Sequence, residues 1–364
     1  THSVIAFNQD NSIIDKIYDT AANNMSFRYI GSKARLVDQL GEFIGKPYSK
    51  ESFFIDAFCG TGSVAEAAAE LGWNIRINDI LYSAVITSEA RLMSIHQVSF
   101  ENLGGYDKAI EKLNAVVLEP GFVWRAYSPA SLKFYGVERK YFSEENAIKI
   151  DSVRRQIKEW RDASTISHTE ERLLIADLLK ALNRIANIAG TFGCFLSKWT
   201  PQSKGYLKLE CRKLKNYNIK IDVSIGDVFS VKNKAYDLVY LDPPYTKRQY
   251  ASYYHILETI AFGDEPIIEG VSGLRPWKDK ASAFCYKRKA LITLSNLVSE
   301  IQAKKVLVSY SNDGHIKMDE MIAAFNNLGM VKVSSLGEIN RYEPNKKPLK
   351  SISNVNEFLV EIEK

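Results

Sequence analysis

Cysteine is scarce in this chain, and Cys59, Cys194, Cys211 and Cys285 form no C-x-x-C pair. That scatter argues against a zinc site and a disulfide-stapled scaffold, and it fits a reducing cytoplasm, the expected location. Long apolar runs are missing too. None reaches the roughly 20 residues of a membrane-spanning helix, and the start lacks a basic-then-apolar signal segment, so no membrane partner is expected. No internal repeat or low-complexity tract appears, and no cluster of metal ligands is visible, so no metal is expected. Two nucleotide signatures are also absent. Gly60-Thr61-Gly62 lacks a third glycine at dinucleotide spacing, and no Gly-Lys-Ser/Thr occurs there. The NAD fingerprint and the phosphate loop are therefore both unmet.

What is present points to one large core, or one core with an insertion. The chain has 364 residues, 46% of them hydrophobic, and a formal net charge of +5, which favours a polyanionic partner. Its most informative tetrad is Asp242-Pro243-Pro244-Tyr245, directly after the apolar run Leu238-Val239-Tyr240-Leu241. Prolines fix φ and lack N–H groups, so the carbonyls there are rigid and uncommitted to a ladder. Asp242 adds a carboxylate acceptor and Tyr245 a flat face, a set suited to a planar amino group whose ring stacks on an aromatic. Upstream, Phe53-Phe54-Ile55-Asp56-Ala57-Phe58-Cys59-Gly60-Thr61-Gly62 reads as a buried strand entering a Gly-x-Gly turn, followed by an Ala-rich helix. Such a turn lets backbone approach a ligand beside a helix N-terminus. A second strand, Asn74 to Asn78, ends at Asp79, placed to take ribose hydroxyls.

Strands near 53–57, 74–78, 220–225, 236–241 and 305–310 alternate with helices, which predicts an α/β fold built on a doubly wound parallel sheet. The gap of roughly 140 residues between the second and third strands is too long for a crossover. Its periodicity predicts helices at 84–95, 106–118, 147–163 and 170–189, and 192–197 with 206–211 read as a β-hairpin. Further helical character lies at 11–22 and 33–43. The hairpin is basic (Lys198, Lys204, Lys208, Arg212, Lys213, Lys215), as a DNA reader would be. After the tetrad, Lys247, Arg248 and Tyr250 interleave charge and aromatic rings, as expected where nucleic acid passes an active site. His255 reads as a structural histidine. The segments 277–288 and 345–350 read equally as backbone contacts or as solvated loops.

The order Phe27-Arg28-Tyr29-Ile30-Gly31-Ser32-Lys33, Asp56 to Gly62, Asp79 and Asp242 to Tyr245 resembles the Dam-type (alpha-order) DNA adenine-N6 methyltransferases, including adenine methylases of restriction–modification systems. The resemblance runs from Phe27 onward and takes in Leu182-Asn183-Arg184, Gly226-Asp227 and the late strand Val306 to Asn312. It implies a Rossmann-like catalytic domain over 25–85 and 214–364, a largely helical target-recognition insertion over 86–213, and an N-terminal extension over 1–24. It also implies S-adenosylmethionine as cofactor, double-stranded DNA as substrate partner, and a restriction endonuclease acting on the same short motif. By the same resemblance Lys33 lies near the cofactor's carboxylate with Tyr29 beside it. Asp79 holds the ribose, Asp227 and Val228 hold the cofactor's adenine, and Asp56, Phe58, Gly60 and Gly62 form the floor. Asp242 and the Pro243 carbonyl then draw the N6 amine of a flipped adenine, with Pro244 and Tyr245 completing the site. Arg184, Lys198, Lys204, Lys247, Arg248 and Tyr250 are the expected DNA contacts. An RNA methyltransferase acting on an exocyclic base amine is the alternative, because ribosomal guanine-N2 enzymes also end a strand in Asp-Pro-Pro-Tyr.

Overall fold

Apolar runs bounded by turns become the strands of a seven-stranded sheet in the order β3-β2-β1-β4-β5-β7-β6. The structure, a computed structural model, describes residues 33, 34, 36–340 and 354–364, without the side chains of 337–340, 354 and 355. Tyr29, the helical stretch 11–22 and the run 345–350 lie outside the described residues. The strands are β1 (Phe53–Asp56), β2 (Asn74–Asp79), β3 (Ile221–Ile225), β4 (Leu238–Leu241), β5 (Lys305–Ser311), β6 (Met330–Asn340) and β7 (Asn354–Glu363). The first five pair in parallel, while β7 slots antiparallel between β5 and β6. Central β4 is buried at every position, as its unbroken apolar run requires, whereas edge strand β3 is half-exposed.

Each face of the sheet carries its own core. Leu40, Ile44, Val64, Ala68 and Trp73, from helices Val37–Ile44 and Ser63–Glu70 and the turn after the second, cover Phe54, Ile75 and Tyr240. On the opposite face, Leu294, Leu297 and Val298 of helix Lys287–Glu300, with Met321 and Phe325 of Met318–Phe325, cover Val239, Leu241, Val306 and Val308. This is the doubly wound arrangement expected from the alternating pattern.

A third core is helical. It joins Tyr82–Leu92, Tyr106–Asn114, Phe122–Tyr127, Glu144–Asp162 and His168–Ile185, and it also takes in Ala251 to Ala261 after the tetrad. Two of these helices start at serine caps: Ser143 accepts from the Asn146 N–H, and Ser167 and Glu170 form a reciprocal capping box.

The expected hairpin over 192–211 is not there. The segment holds the short 3-10 turn Gln202–Lys204 among non-strand stretches. Side-chain amides replace the strand partner. Asn146 donates to the Gly205 carbonyl (2.7 Å) and accepts from the Leu207 N–H (2.8 Å). Asn114 does the same at Leu209, at 2.9 and 3.0 Å. The strip is thus pinned in extended form without a ladder, burying Leu207 and Leu209 and exposing Tyr206 and Lys208.

Candidate active site

Strand order places the chemistry. In the sequence β2-β1-β4 the carboxyl ends of three neighbouring strands bring Asp79, Asp56 and Asp242 around one cavity of about 210 Å³. The chain direction of winding reverses between β1 and β4, the point where open α/β sheets leave a crevice for ligands.

The Gly-x-Gly turn forms one wall. Gly60 and Gly62 both have positive φ, 50° and 79°. A Cβ on Gly62 would lie 2.4 Å from Ser88 Oγ and 2.7 Å from Ser88 Cα, so no side chain fits there. Asp79 accepts from the Gly60 N–H (3.1 Å) and the Leu81 N–H (3.0 Å), tying the end of β2 to the turn after β1. Burial lifts the Asp79 carboxyl to about 6 against those hydrogen bonds. Asp56 is 2% exposed, and its Oδ1 has no partner among the described residues. Burial, then the charges of Asp242 and Asp79, push its pKa well above the usual carboxylate range. Gly226, Asp227 and Val228 close the next side, where Asp227 accepts from the Phe229 N–H (3.0 Å) and so caps the turn Val228–Ser230.

The tetrad end of the cavity is a charged cluster. Lys33 Nζ lies 3.1 Å from Asp242 Oδ1 and 3.2 Å from Glu357 Oε2. Tyr245 donates its hydroxyl to Glu357 Oε1 (3.2 Å), and its ring sits 5.5 Å from Lys33 Nζ and edge-on to Tyr310. Burial by itself would lower the Lys33 pKa, but Asp242 and Glu357 outweigh it and hold the ammonium charged. Burial raises Asp242 to about 6, Lys33 opposing and Glu357 adding to the rise. The carbonyl of Pro243 and Oδ2 of Asp242 accept no hydrogen bond among the described residues, so two acceptors stand ready at the strand end.

The cavity gathers Lys33, Asp56, Phe58, Gly60, Asp79, Asp227, Val228, Asp242, Pro244 and Tyr250 from the sequence expectations. Tyr250 stands in the cavity wall, where burial pushes its phenol well up, and it packs edge-on against Tyr254. The basic residues divide. Lys198, Lys204 and Lys247 are exposed, and Arg248 is half-buried. Arg184 instead pairs with Glu210 (2.7 Å), Arg212 with buried Asp177 (2.7 Å), and Lys215 with Glu66 (2.6 Å) and Glu70 (3.3 Å). Arg212 and Lys215 therefore serve the fold, against the reading of a uniformly basic hairpin. His255 is fully buried beside the Phe192 carbonyl (2.9 Å), and burial lowers its pKa to about 3, as a structural histidine requires.

Beside the cavity, behind Lys33 and Tyr245, stands one residue that had no sequence reading. Glu357 is a 3%-exposed acid on β7, a strand whose alternation of Asn356, Phe358, Val360 and Ile362 with Glu357, Leu359 and Glu361 carries the only signal for it. Within the segment 277–288, residues 280–284 line the cavity, while Lys278, Asp279, Lys287 and Arg288 are exposed. Gln249 fastens it, donating to the Ser282 carbonyl (3.2 Å) and accepting from the Ser282 N–H (2.8 Å).

Comparison with known proteins agrees with this geometry. The profile of the D12 class N6 adenine-specific DNA methyltransferases matches residues 29–323. The chain is 32% identical over 344 residues to the type II methyltransferase M.FokI of Planomicrobium okeanokoites, covering 93% of this chain and 52% of that protein. It is 30% identical over 350 residues to modification methylase StsI of Streptococcus sanguinis (91% and 50%). With modification methylase LlaI of Lactococcus lactis subsp. lactis it shares 32% over 346 residues (89% and 52%). The chain thus spans about half the length of these relatives.

Proposed function

Because the chain belongs to the D12 class of N6 adenine-specific DNA methyltransferases, we propose that it methylates N6 of an adenine flipped out of a short duplex motif, with S-adenosylmethionine as donor. The observation that carries this is the meeting of the tetrad and the Gly-x-Gly turn in one cavity, with Asp242, Asp56 and Asp79 on its wall. Asp56, Asp79, Asp227 and Asp242 line the cavity against two lysines, Lys33 held by Asp242 and Glu357 and Lys280 held by Glu258, a balance that suits a positively charged ligand and disfavours the phosphates of a dinucleotide. A sulfonium and an ammonium would give the orphaned Asp56 Oδ1 the partner it lacks, and Gly60 and Thr61 of the turn present backbone to the cavity. Asp79 would take the ribose hydroxyls through the lone pairs left by its two backbone bonds, and Val228 with Phe229 would flank the cofactor's adenine.

The cofactor, once bound, supplies an electrophilic methyl group. The chain supplies the rest. The N6 lone pair of adenine is delocalised into the ring and nucleophilically poor. Asp242 Oδ2 and the Pro243 carbonyl accept the two amine hydrogens and draw the nitrogen towards tetrahedral geometry, so that its lone pair is localised and aimed. On taking up the methyl group that the bound cofactor would supply, the amine would give up one proton to solvent through Asp242. Tyr245 and Tyr250 stack on or border the extruded base, offsetting part of its unstacking by roughly 1–3 kcal/mol.

The relatives' names, type II methyltransferase and modification methylase, support protection of host DNA against an endonuclease of the same motif. Base-resolved sequencing of modified bases in DNA from a host expressing the chain tests the whole reading. N6-methyladenine in one short motif is expected. Unmodified DNA beside methylated RNA would promote the RNA alternative.

A further inference from the structure

The cluster at the tetrad end has more groups than the transfer itself uses. Glu357 comes from β7, a strand outside the cavity lining, and it stands behind Lys33 with its carboxylate 3% exposed and both its oxygens engaged. Oε2 takes Lys33 Nζ (3.2 Å) and Oε1 takes the Tyr245 hydroxyl (3.2 Å). A buried carboxylate is costly unless paired, so an acid kept here for packing alone would be a poor choice.

We propose that Glu357 is a positioning residue of the methyl-transfer site: by sharing Lys33 with Asp242 and holding Tyr245, it leaves one Asp242 oxygen open to the amine and fixes the ring that receives the base. The inference rests on the proposed methyl transfer. Lys33 can donate three hydrogen bonds. With Glu357 absent, the ammonium is free to chelate both oxygens of Asp242, closing the acceptor that the amine needs. With Glu357 present, Lys33 is shared: its Nζ lies 3.1 Å from Asp242 Oδ1 and 3.2 Å from Glu357 Oε2. The same carboxylate anchors the phenol of Tyr245 at its far end, while Tyr310 meets the ring edge-on at 5.6 Å, so the ring plane is set from two directions. Register supports the placement. Glu357 pairs with Ser311 on β5, and β5 pairs with β4, so two ladders locate the acid beside the strand end that carries the tetrad.

The test is steady-state methylation of a duplex known from the sequencing experiment to be a substrate of the unmutated chain, which separates failure of this inference from failure of the functional reading. Glu357→Gln keeps size and loses charge. It should lower kcat about tenfold or more, with KM for cofactor and DNA within about threefold, because positioning acts on the transition state. The charged and titratable groups around Asp242 are Lys33, Glu357 on β7, Asp56 on β1, Tyr240 on β4, and Tyr245 and Tyr250 beyond it. Since Glu357 raises the Asp242 pKa, its neutralisation should also move the acid limb of the rate profile to lower pH. Glu357→Asp should recover part of kcat and return the limb towards its original place. A Glu357→Gln enzyme with kcat within twofold and an unmoved acid limb overturns the proposal. Should that variant fail to fold, Tyr245→Phe carries the test: deletion of the hydroxyl should lower kcat about fivefold without moving the limb, and undiminished kcat overturns the proposal.

Discussion

Replacing Asp242 by alanine removes one of the two acceptors proposed for the amine while leaving the Gly-x-Gly wall of the cavity intact. Cofactor affinity by calorimetry should stay within severalfold, and single-turnover methylation should fall by about 10³ or more. The pH dependence follows from the same carboxyl. Burial holds Asp242 near 6, above its unfolded value, so it is ionised at neutral pH and takes up a proton as pH falls through that value. With cofactor saturating, so that Asp79 is already engaged, kcat/KM for DNA should decline below about pH 6. Lys33 lowers the Asp242 pKa, so Lys33→Met should shift this limb to higher pH; a shift the other way would contradict the Lys33–Asp242 pairing. Asp56 and Asp242 were legible because each closes an apolar run, and Asp79 because it ends an alternating strand. Glu357 was not, because it lies inside a strand with acids and apolar residues on one face, Glu357, Leu359 and Glu361, and nothing local marks one of the two acids as buried.

At the scale of elements, the turn after β1 makes the sharpest demand. Gly62→Ala puts a Cβ at φ +79 against Ser88. The cost should be about 1–3 kcal/mol, read as a lower melting temperature, together with weakened cofactor binding. Ser88→Gly should not rescue it, since Ser88 Cα is itself 2.7 Å from the new atom. The parallel strands and the long helices were legible from periodicity, and the structure adds the caps, among them Ser167 with Glu170. The hairpin was misread for a physical reason. Leu207 and Leu209 alternate as a strand would, but their backbone partners are the amides of Asn146 and Asn114, distant in sequence. Asn146→Ala would leave the Gly205 carbonyl and the Leu207 N–H unpaired, each costing about 1–3 kcal/mol where buried. Chemical denaturation should show that loss, and DNA affinity should drop while cofactor affinity holds.

For the whole molecule, net charge says less than where the charges are spent. The formal +5 suggested a polyanionic partner, but Arg184, Arg212 and Lys215 are held by Glu210, Asp177 and Glu66 and are poor candidates for phosphate contacts. Exposed Lys198, Lys204 and Lys247, with half-buried Arg248, remain. Phosphate neutralisation releases counterions, so log affinity for a cognate duplex should fall linearly with log salt, by about 0.9 per contact. Replacing Lys247 and Arg248 together by alanine should flatten that slope by about one to two units and weaken all duplexes alike, leaving the methylated motif unchanged, because phosphate contacts position rather than specify. Arg212→Ala should behave differently. It strips the partner from buried Asp177, so it should lower the melting temperature and leave the salt slope unaltered. Fluorescence anisotropy across a salt series separates the two cases. A slope that responds to Arg212 and ignores Lys247 and Arg248 would move the DNA path from the tetrad side of the molecule to the helical layer.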